Sequence, residues 1–241
     1  MYWVVQVVRW HSGVHGEECP SRRQYLREAD FLLMEGATPE RIDHAIESLG
    51  MAMGPCRMLD MAGTDVAGKI VLERGKAGSL PDDPSYRAVV VRLLELGRHG
   101  QKTHAGYYRY EGRKALPDPA FAQLCQELAR RHGIAQRSDI SDAEIIERCM
   151  YPLINEGARI VEEGIAYRAS DVDVVWTQGY GFPDYRGGPL FMADQLGLGR
   201  IVAALNGFGA ARGNRFGYWS VSPLLARLAS QGGRLAEQQA P

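Results

Sequence analysis

Two stretches of this chain repeat one another. Tyr25 to Gly63 reads YLREADFLLMEGATPERIDHAIESLGMAMGPCRMLDMAG, and Tyr151 to Gly197 reads YPLINEGARIVEEGIAYRASDVDVVWTQGYGFPDYRGGPLFMADQLG. Glu35-Gly36 answers Glu163-Gly164, Ile42-Asp43 answers Val172-Asp173, and Gly54-Pro55 answers Gly188-Pro189. In the second copy Leu153, Ala158, Ile160, Val161 and Ile165 are apolar at helical spacing, and Gly164 and Ser170 punctuate the pattern. A short helix with Val172, Val175 and Trp176 follows. The glycine-rich turn GYGFPDYRGGP then leads into a third helix at Pro189. A duplicated helical unit narrows the possible folds sharply, because one copy can bury its apolar face against the other as two subunits of a symmetric dimer would.

Helix signals run through the rest of the chain. Thr38-Pro39-Glu40 supplies an N-cap, a proline at the first helical position and an acid in the first turn. Ile42, Ala45, Ile46 and Leu49 form the apolar stripe behind it, and Gly50 stops the helix. A helix from Pro55 is expected to turn Leu59, Val66, Ile70 and Val71 inward. Pro81 to Pro84 reads as a turn, and Ser85 opens a helix with Val89, Val90, Leu93, Leu94 and Leu96 that ends at Gly97. Asp118-Pro119 starts a helix closed by Gly133. Ser141 to Glu144 has capping-box spacing, and Ser222-Pro223 starts a last helix. Roughly ten helices and no sheet are expected. The class is all-α: two tandem helical units packed as a pseudo-dimer. Residues 1–23 read as an atypical leader, 24–113 as the first unit, 111–117 as a linker, 118–230 as the second unit and 231–241 as a frayed tail.

The 28 basic and 29 acidic residues nearly balance and are scattered, so nucleic acid is not an expected partner. The four cysteines, Cys19, Cys56, Cys125 and Cys149, form no CxxC pair. That argues against zinc and a disulfide framework, and for a reducing, cytoplasmic setting. No apolar run has the length of about 20 residues that a membrane span needs. The opening MYWVVQVVRW lacks a small-residue cleavage site and is not read as a signal peptide.

A dinucleotide-binding turn needs glycines between a strand and a helix. The nearest candidate, Gly207-x-Gly209-x-x-x-Gly213, has the wrong spacing and follows a helix. None of the six histidines has a carboxylate or thiol spaced for a triad or a metal cage, so no catalytic or metal residue is assigned. The loop GRHGQKTHAGYYRY, residues 97–110, is glycine-rich, basic and aromatic. Lys102 sits in it between His99 and His104, and two readings stay open: a ligand contact, or a solvated lysine beside packed tyrosines. The GYGFPDYRGGP turn is better read as helix packing than as a ligand contact. Asp43 and Asp173, at matching places, are read as solvated or capping carboxylates, because no second acid pairs with either by spacing.

Three stretches together resemble a known family: YLREADFLLMEGATPERIDHAIESLGMAMGP, GRHGQKTHAGYYRY and INEGARIVEEGIAYRASDVDVVWTQGYGFPDYRGGP. They look like the C-terminal helical region of NAD-dependent 3-hydroxyacyl-CoA dehydrogenases, above all the bifunctional fatty-acid oxidation enzymes that carry the unit twice. The resemblance implies an acyl-CoA substrate, NAD held mainly by a separate dinucleotide-binding domain, and a histidine held by a glutamate as proton acceptor. It implies that the helical region closes over the substrate and forms a dimer or pseudo-dimer. Lys102 falls on the loop lysine that reaches the cofactor, with His104 where the motif usually has glycine. Gln178 falls where some members place an aromatic that touches substrate. The histidine–glutamate pair, and the asparagine of the motif that leads into the first helix, have no counterpart here. Two functions are therefore expected as alternatives: the C-terminal part of such a dehydrogenase, inactive alone, or a non-catalytic acyl-CoA-binding or assembly module that complements a separate dinucleotide-binding subunit. A homodimer is a further expected partner state.

Overall fold

The computed structural model describes residues 20–239. Most of the leader, residues 1–19, therefore lies outside the described residues, as do the last two residues of the tail. The described chain is helical: α1 (Pro20–Glu35), α2 (Pro39–Ser48), α3 (Pro55–Ala62), α4 (Thr64–Lys76), α5 (Ala88–Glu95), α6 (Pro119–His132), α7 (Asp142–Glu162), α8 (Ala169–Gly179), α9 (Pro189–Leu196), α10 (Leu198–Arg212) and α11 (Pro223–Gln231). The sheet among the described residues is one antiparallel pair, β1 (Arg109–Glu111) and β2 (Lys114–Leu116). The described residues divide into two compact units, Leu26–Ile146, and 147–239 together with 20–25.

In the unit Leu26–Ile146 the expected caps form. Thr38 Oγ1 accepts from Arg41 N at 3.3 Å, Asp118 Oδ1 from Ala120 N at 3.0 Å, and Ser141 Oγ from Glu144 N at 3.1 Å. Each satisfies a backbone donor that a helix start leaves orphaned. The helix from Pro55 breaks at Gly63, whose φ is +96°. The helical register restarts there, so Ala67, Gly68 and Val71 turn inward while Val66 is 51% exposed, contrary to expectation. The helix expected from Ser85 begins at Ala88, because Asp83 Oδ1 accepts from Ser85 N at 2.9 Å and holds the preceding turn. The expected linker 111–117 folds instead as the hairpin β1–β2, turning at Gly112 (φ +61°).

The first unit also reaches further along the chain than the reading that starts a second unit at 118. Phe121 of α6 packs on Tyr107 with ring centroids 5.4 Å apart, and Asp118 pairs with Arg98. Arg137 N donates to Glu35 O at 2.7 Å, and the Arg137 guanidinium binds Glu144 at 2.9 Å. These contacts fasten residues 118–144 to α1 and to the loop before β1.

In the other unit α7 is followed by α8, which starts at Ala169 rather than at Ser170. Trp176 is buried, donates from Nε1 to Ser21 Oγ at 3.1 Å, and meets Tyr25 edge-on at 6.2 Å. Ser222 Oγ caps α11 by accepting from Leu225 N at 3.0 Å. The stretch after Gly232 differs from the expected frayed tail. Leu235 is 0% exposed, and a short 3-10 turn, Leu235–Glu237, packs on α9.

Candidate functional site

Each unit contains the same pair of buried carboxylates. Asp43 on α2 accepts from Cys56 N at 2.9 Å through Oδ1 and from Arg57 N at 3.0 Å through Oδ2. These are the second and third residues of α3. Asp173 on α8 accepts from Leu190 N at 2.7 Å and Phe191 N at 3.1 Å, the second and third residues of α9. Each aspartate thus caps the next helix from outside it, and both are buried rather than solvated. Gly54 and Gly188 let the chain pass over them, since a Cβ at either would overlap the aspartate.

The second carboxylate is the sixth residue of the capped helix. Asp60 of α3 accepts from Tyr107 N at 2.9 Å, Tyr108 N at 3.0 Å and Tyr110 Oη at 2.9 Å. Asp194 of α9 accepts from Leu235 N at 2.8 Å and Ala236 N at 3.0 Å. Sequence reasoning missed both residues. Their signal was present as a repeated G-P-x-x-x-x-D-x-x-G, in Gly54–Gly63 and again in Gly188–Gly197. Burial pushes Asp43 and Asp60 up to about 6 and Asp173 up to about 7, against the pull of the amide and hydroxyl donors.

The copies part company at what these carboxylates hold. In the first copy Asp60 and Asp43 clasp the loop 97–110, since Tyr108 Oη also donates to Asp43 at 2.8 Å. Arg98 fixes the same loop from its other end, donating from Nη2 to Gly106 O at 2.7 Å. His104 takes a left-handed conformation (φ +58°), and its carbonyl accepts from Tyr110 N at 2.9 Å. A side chain therefore does occupy the positive φ that glycine would accept more readily, held there by its neighbours.

Lys102 lies in the 3-10 turn Gln101–Thr103 at the exposed side of this loop. Its side chain is 51% exposed, and Nζ is paired with Asp65 Oδ1, whose side chain is 14% exposed. The Lys102 ammonium holds the Asp65 carboxyl below its usual range. Sequence reasoning did not single out Asp65. Gln178 is exposed in the last turn of α8, two residues before Tyr180, whose ring meets Trp176 at a tilt of 49° with centroids 5.0 Å apart. Lys102 and Gln178 belong to different units. Among the described residues no group of three or more His, Cys, Asp or Glu could hold a metal ion.

A helical unit built twice, each time around one carboxylate that caps a helix and a second, inside that helix, that grips a returning strand of backbone, is the class that these features define. The chain belongs to the 3-hydroxyacyl-CoA dehydrogenase C-terminal domain family, whose model matches residues 22–110 and again 145–239. It is 42% identical over 220 residues to the peroxisomal bifunctional enzyme of Danio rerio and 40% identical over 220 residues to that of Homo sapiens, covering 86% of this chain in each case. It spans only 30% of the length of either relative. Among solved structures it is similar to the dehydrogenase part of multifunctional enzyme 1 from C. elegans, with TM-score 0.64 and 26% identity, covering 86% of this chain and 46% of that one.

The family's cofactor can be tested against the residues present. Lys102 offers one ammonium on a half-exposed side chain, already paired with Asp65, on a loop tied to Asp60 by backbone hydrogen bonds. That suits a single contact to a phosphate, and it does not amount to a cradle for a dinucleotide. No helix among the described residues is long and apolar enough to cross a membrane.

Proposed function

We propose that this chain is the helical C-terminal part of a bifunctional 3-hydroxyacyl-CoA dehydrogenase of fatty-acid β-oxidation. In this reading the helical region closes over an acyl-CoA substrate. The family match over both copies carries it. NAD, when bound, accepts the hydride from C3 of the substrate; Lys102 supplies one cationic contact to it, and Gln178 faces the substrate. Among the described residues no histidine–glutamate proton acceptor of the family's kind is placed, and on this reading the chain alone turns over no substrate. The check is to incubate the purified chain with 3-hydroxybutyryl-CoA and NAD. No NADH is expected above a heat-killed control, and sustained production would refute the reading.

A second function, a non-catalytic module, has one observation in its favour, the intact duplication of the helical unit. As an assembly module the chain would bind acyl-CoA, or complement a separate dinucleotide-binding subunit. Calorimetry with acetoacetyl-CoA and co-purification with such a subunit would show it, and silence in both would remove it. The cytoplasm remains our proposed compartment, on the free thiols of Cys56, Cys125 and Cys149. The names of the relatives point to peroxisomes instead, and a fluorescent fusion that collects in peroxisomes would decide against the cytoplasm.

A further inference from the structure

The internal duplication separates what holds the fold from what the fold carries. The helix-capping carboxylate recurs as Asp43 and Asp173, and the inner carboxylate as Asp60 and Asp194. The Lys102–Asp65 pair does not recur. Asp65 lies two residues after Gly63; the same place after Gly197 is Gly199. Where Asp60 grips the lysine-bearing loop, Asp194 grips the short turn at Leu235. A fold that stands without the pair in one copy does not need it for folding in the other.

The local geometry shows how closely the pair is held. A Cβ on Gly63 would lie 2.7 Å from Asp65 Oδ1 and 3.0 Å from Lys102 Nζ. Gly197 has nearly the same backbone, φ +89° against +96°, yet a Cβ there would meet nothing within 4 Å. Positive φ thus asks for glycine in both copies, and only the first adds a crowd of opposite charges above it. That ammonium is half-exposed, on a loop fixed by three hydrogen bonds to Asp60. Holding an exposed cation in one ion pair is a costly arrangement for a lysine with no ligand, because ordering its side chain gains little at a solvated ion pair.

We propose that Asp65 is an internal competitor for the phosphate that Lys102 receives: it holds the ammonium in place over Gly63 and is displaced when a phosphate of a nucleotide ligand arrives. Asp65 is in this sense a positioning residue. It keeps Lys102 extended along one line of approach and sets the threshold that an incoming anion must exceed. The proposal rests on the reading of Lys102 as a ligand contact. The shared chemistry is a phosphate ester or diphosphate, and either the dinucleotide or coenzyme A could supply it.

The chain has four lysines, Lys69, Lys76, Lys102 and Lys114, so reductive methylation with 13C-formaldehyde gives few signals, and Lys102→Arg identifies the one required. The intact chain is titrated with inorganic pyrophosphate, then with NADH and with coenzyme A as separate arms. The Lys102 signal should move with at least one nucleotide, and the moving arm names the source. Asp65→Asn should lower the half-saturating concentration by about two- to fivefold, the range a half-exposed ion pair is worth. Asp65→Glu, which keeps the competitor, should stay near the parent value. Circular dichroism and thermal melting show that each variant is folded. If Lys102→Gln weakens binding but Asp65→Asn leaves it unchanged or weaker, the competitor role is overturned and the Lys102 contact stands. If Lys102 moves with no probe, both fall.

Discussion

At the residue scale, the four carboxylates differ in what each would leave behind. Asp60→Ala strands two backbone amides and the Tyr110 hydroxyl in the interior. Unsatisfied buried donors cost about 1–3 kcal/mol each, so we expect a loss of about 3 kcal/mol or more in a urea melt. Asp194→Ala strands only the amides of Leu235 and Ala236, and Ala236 is exposed. About half that loss is expected, and equal losses would contradict the role given to the tyrosine loop. The same groups set a pH dependence. Asp43 and Asp60 are raised to about 6 and Asp173 to about 7, chiefly by burial. An unfolded aspartate titrates near pH ~4, so between that value and pH 7 the folded chain binds more protons than the unfolded one. Stability from these residues is therefore present at low pH and lost as pH rises through 6 to 7. Asp173→Asn should flatten the fall in urea midpoint between pH 5 and 7.5, and an unchanged slope in the variant would sink the assignment.

At the element scale, two glycines separate steric need from conformational need. Gly54 has φ −74°, which any residue adopts, yet its Cβ would overlap Asp43. Gly157 lies inside α7, and its Cβ would meet the flexible end of Leu190, Cδ2, at 2.9 Å. Gly54→Ala must push α2 from α3 and should cost about 2 kcal/mol or more. Gly157→Ala gains helix propensity of about 1 kcal/mol and spends a similar amount moving Leu190, so it should be nearly neutral. Thermal melts of the two variants side by side decide this. If alanine at 54 is tolerated as well as at 157, Asp43 is not the reason for the glycine. The elements themselves were legible because their signals are local: Thr38, Asp118, Ser141 and Ser222 each cap the helix that the sequence announces. The break at Gly63 and the inward face of α4 were not, because a continuous apolar pattern conceals a change of register. The hairpin at 109–116 escaped for the opposite reason, since strands of three residues carry too little alternation to read.

At the scale of the whole molecule, the duplication was readable from paired dipeptides, but the contacts it serves were not. Asp43 could be placed opposite Asp173 by alignment alone. That both cap a helix from another helix depends on Gly54 and Gly188 lying against them, 11 and 15 residues away in sequence. Such contacts are long-range in each unit, and neither composition nor periodicity reports them. The clearest case is the stretch after Gly232, whose polar composition reads as a frayed end. Its one large apolar residue, Leu235, is fully buried, and its amides close on Asp194, whose side chain is equally buried. Gln239 adds a bridge to Arg168 at the start of α8. The stretch is thus the second copy's equivalent of the tyrosine loop and belongs to the fold. Deleting residues from Gly233 onward removes the burial of one leucine, worth about 2 kcal/mol, and leaves a buried carboxylate without its two donors. The expected loss is about 3 kcal/mol, with α9 the element loosened first. Hydrogen exchange gives an independent reading on the intact chain: the amides of Leu235 and Ala236 should be protected to the same degree as those of Leu190 and Phe191. A deletion variant that melts with the parent, or tail amides that exchange at the rate of free peptide, would return this segment to the status of a tail.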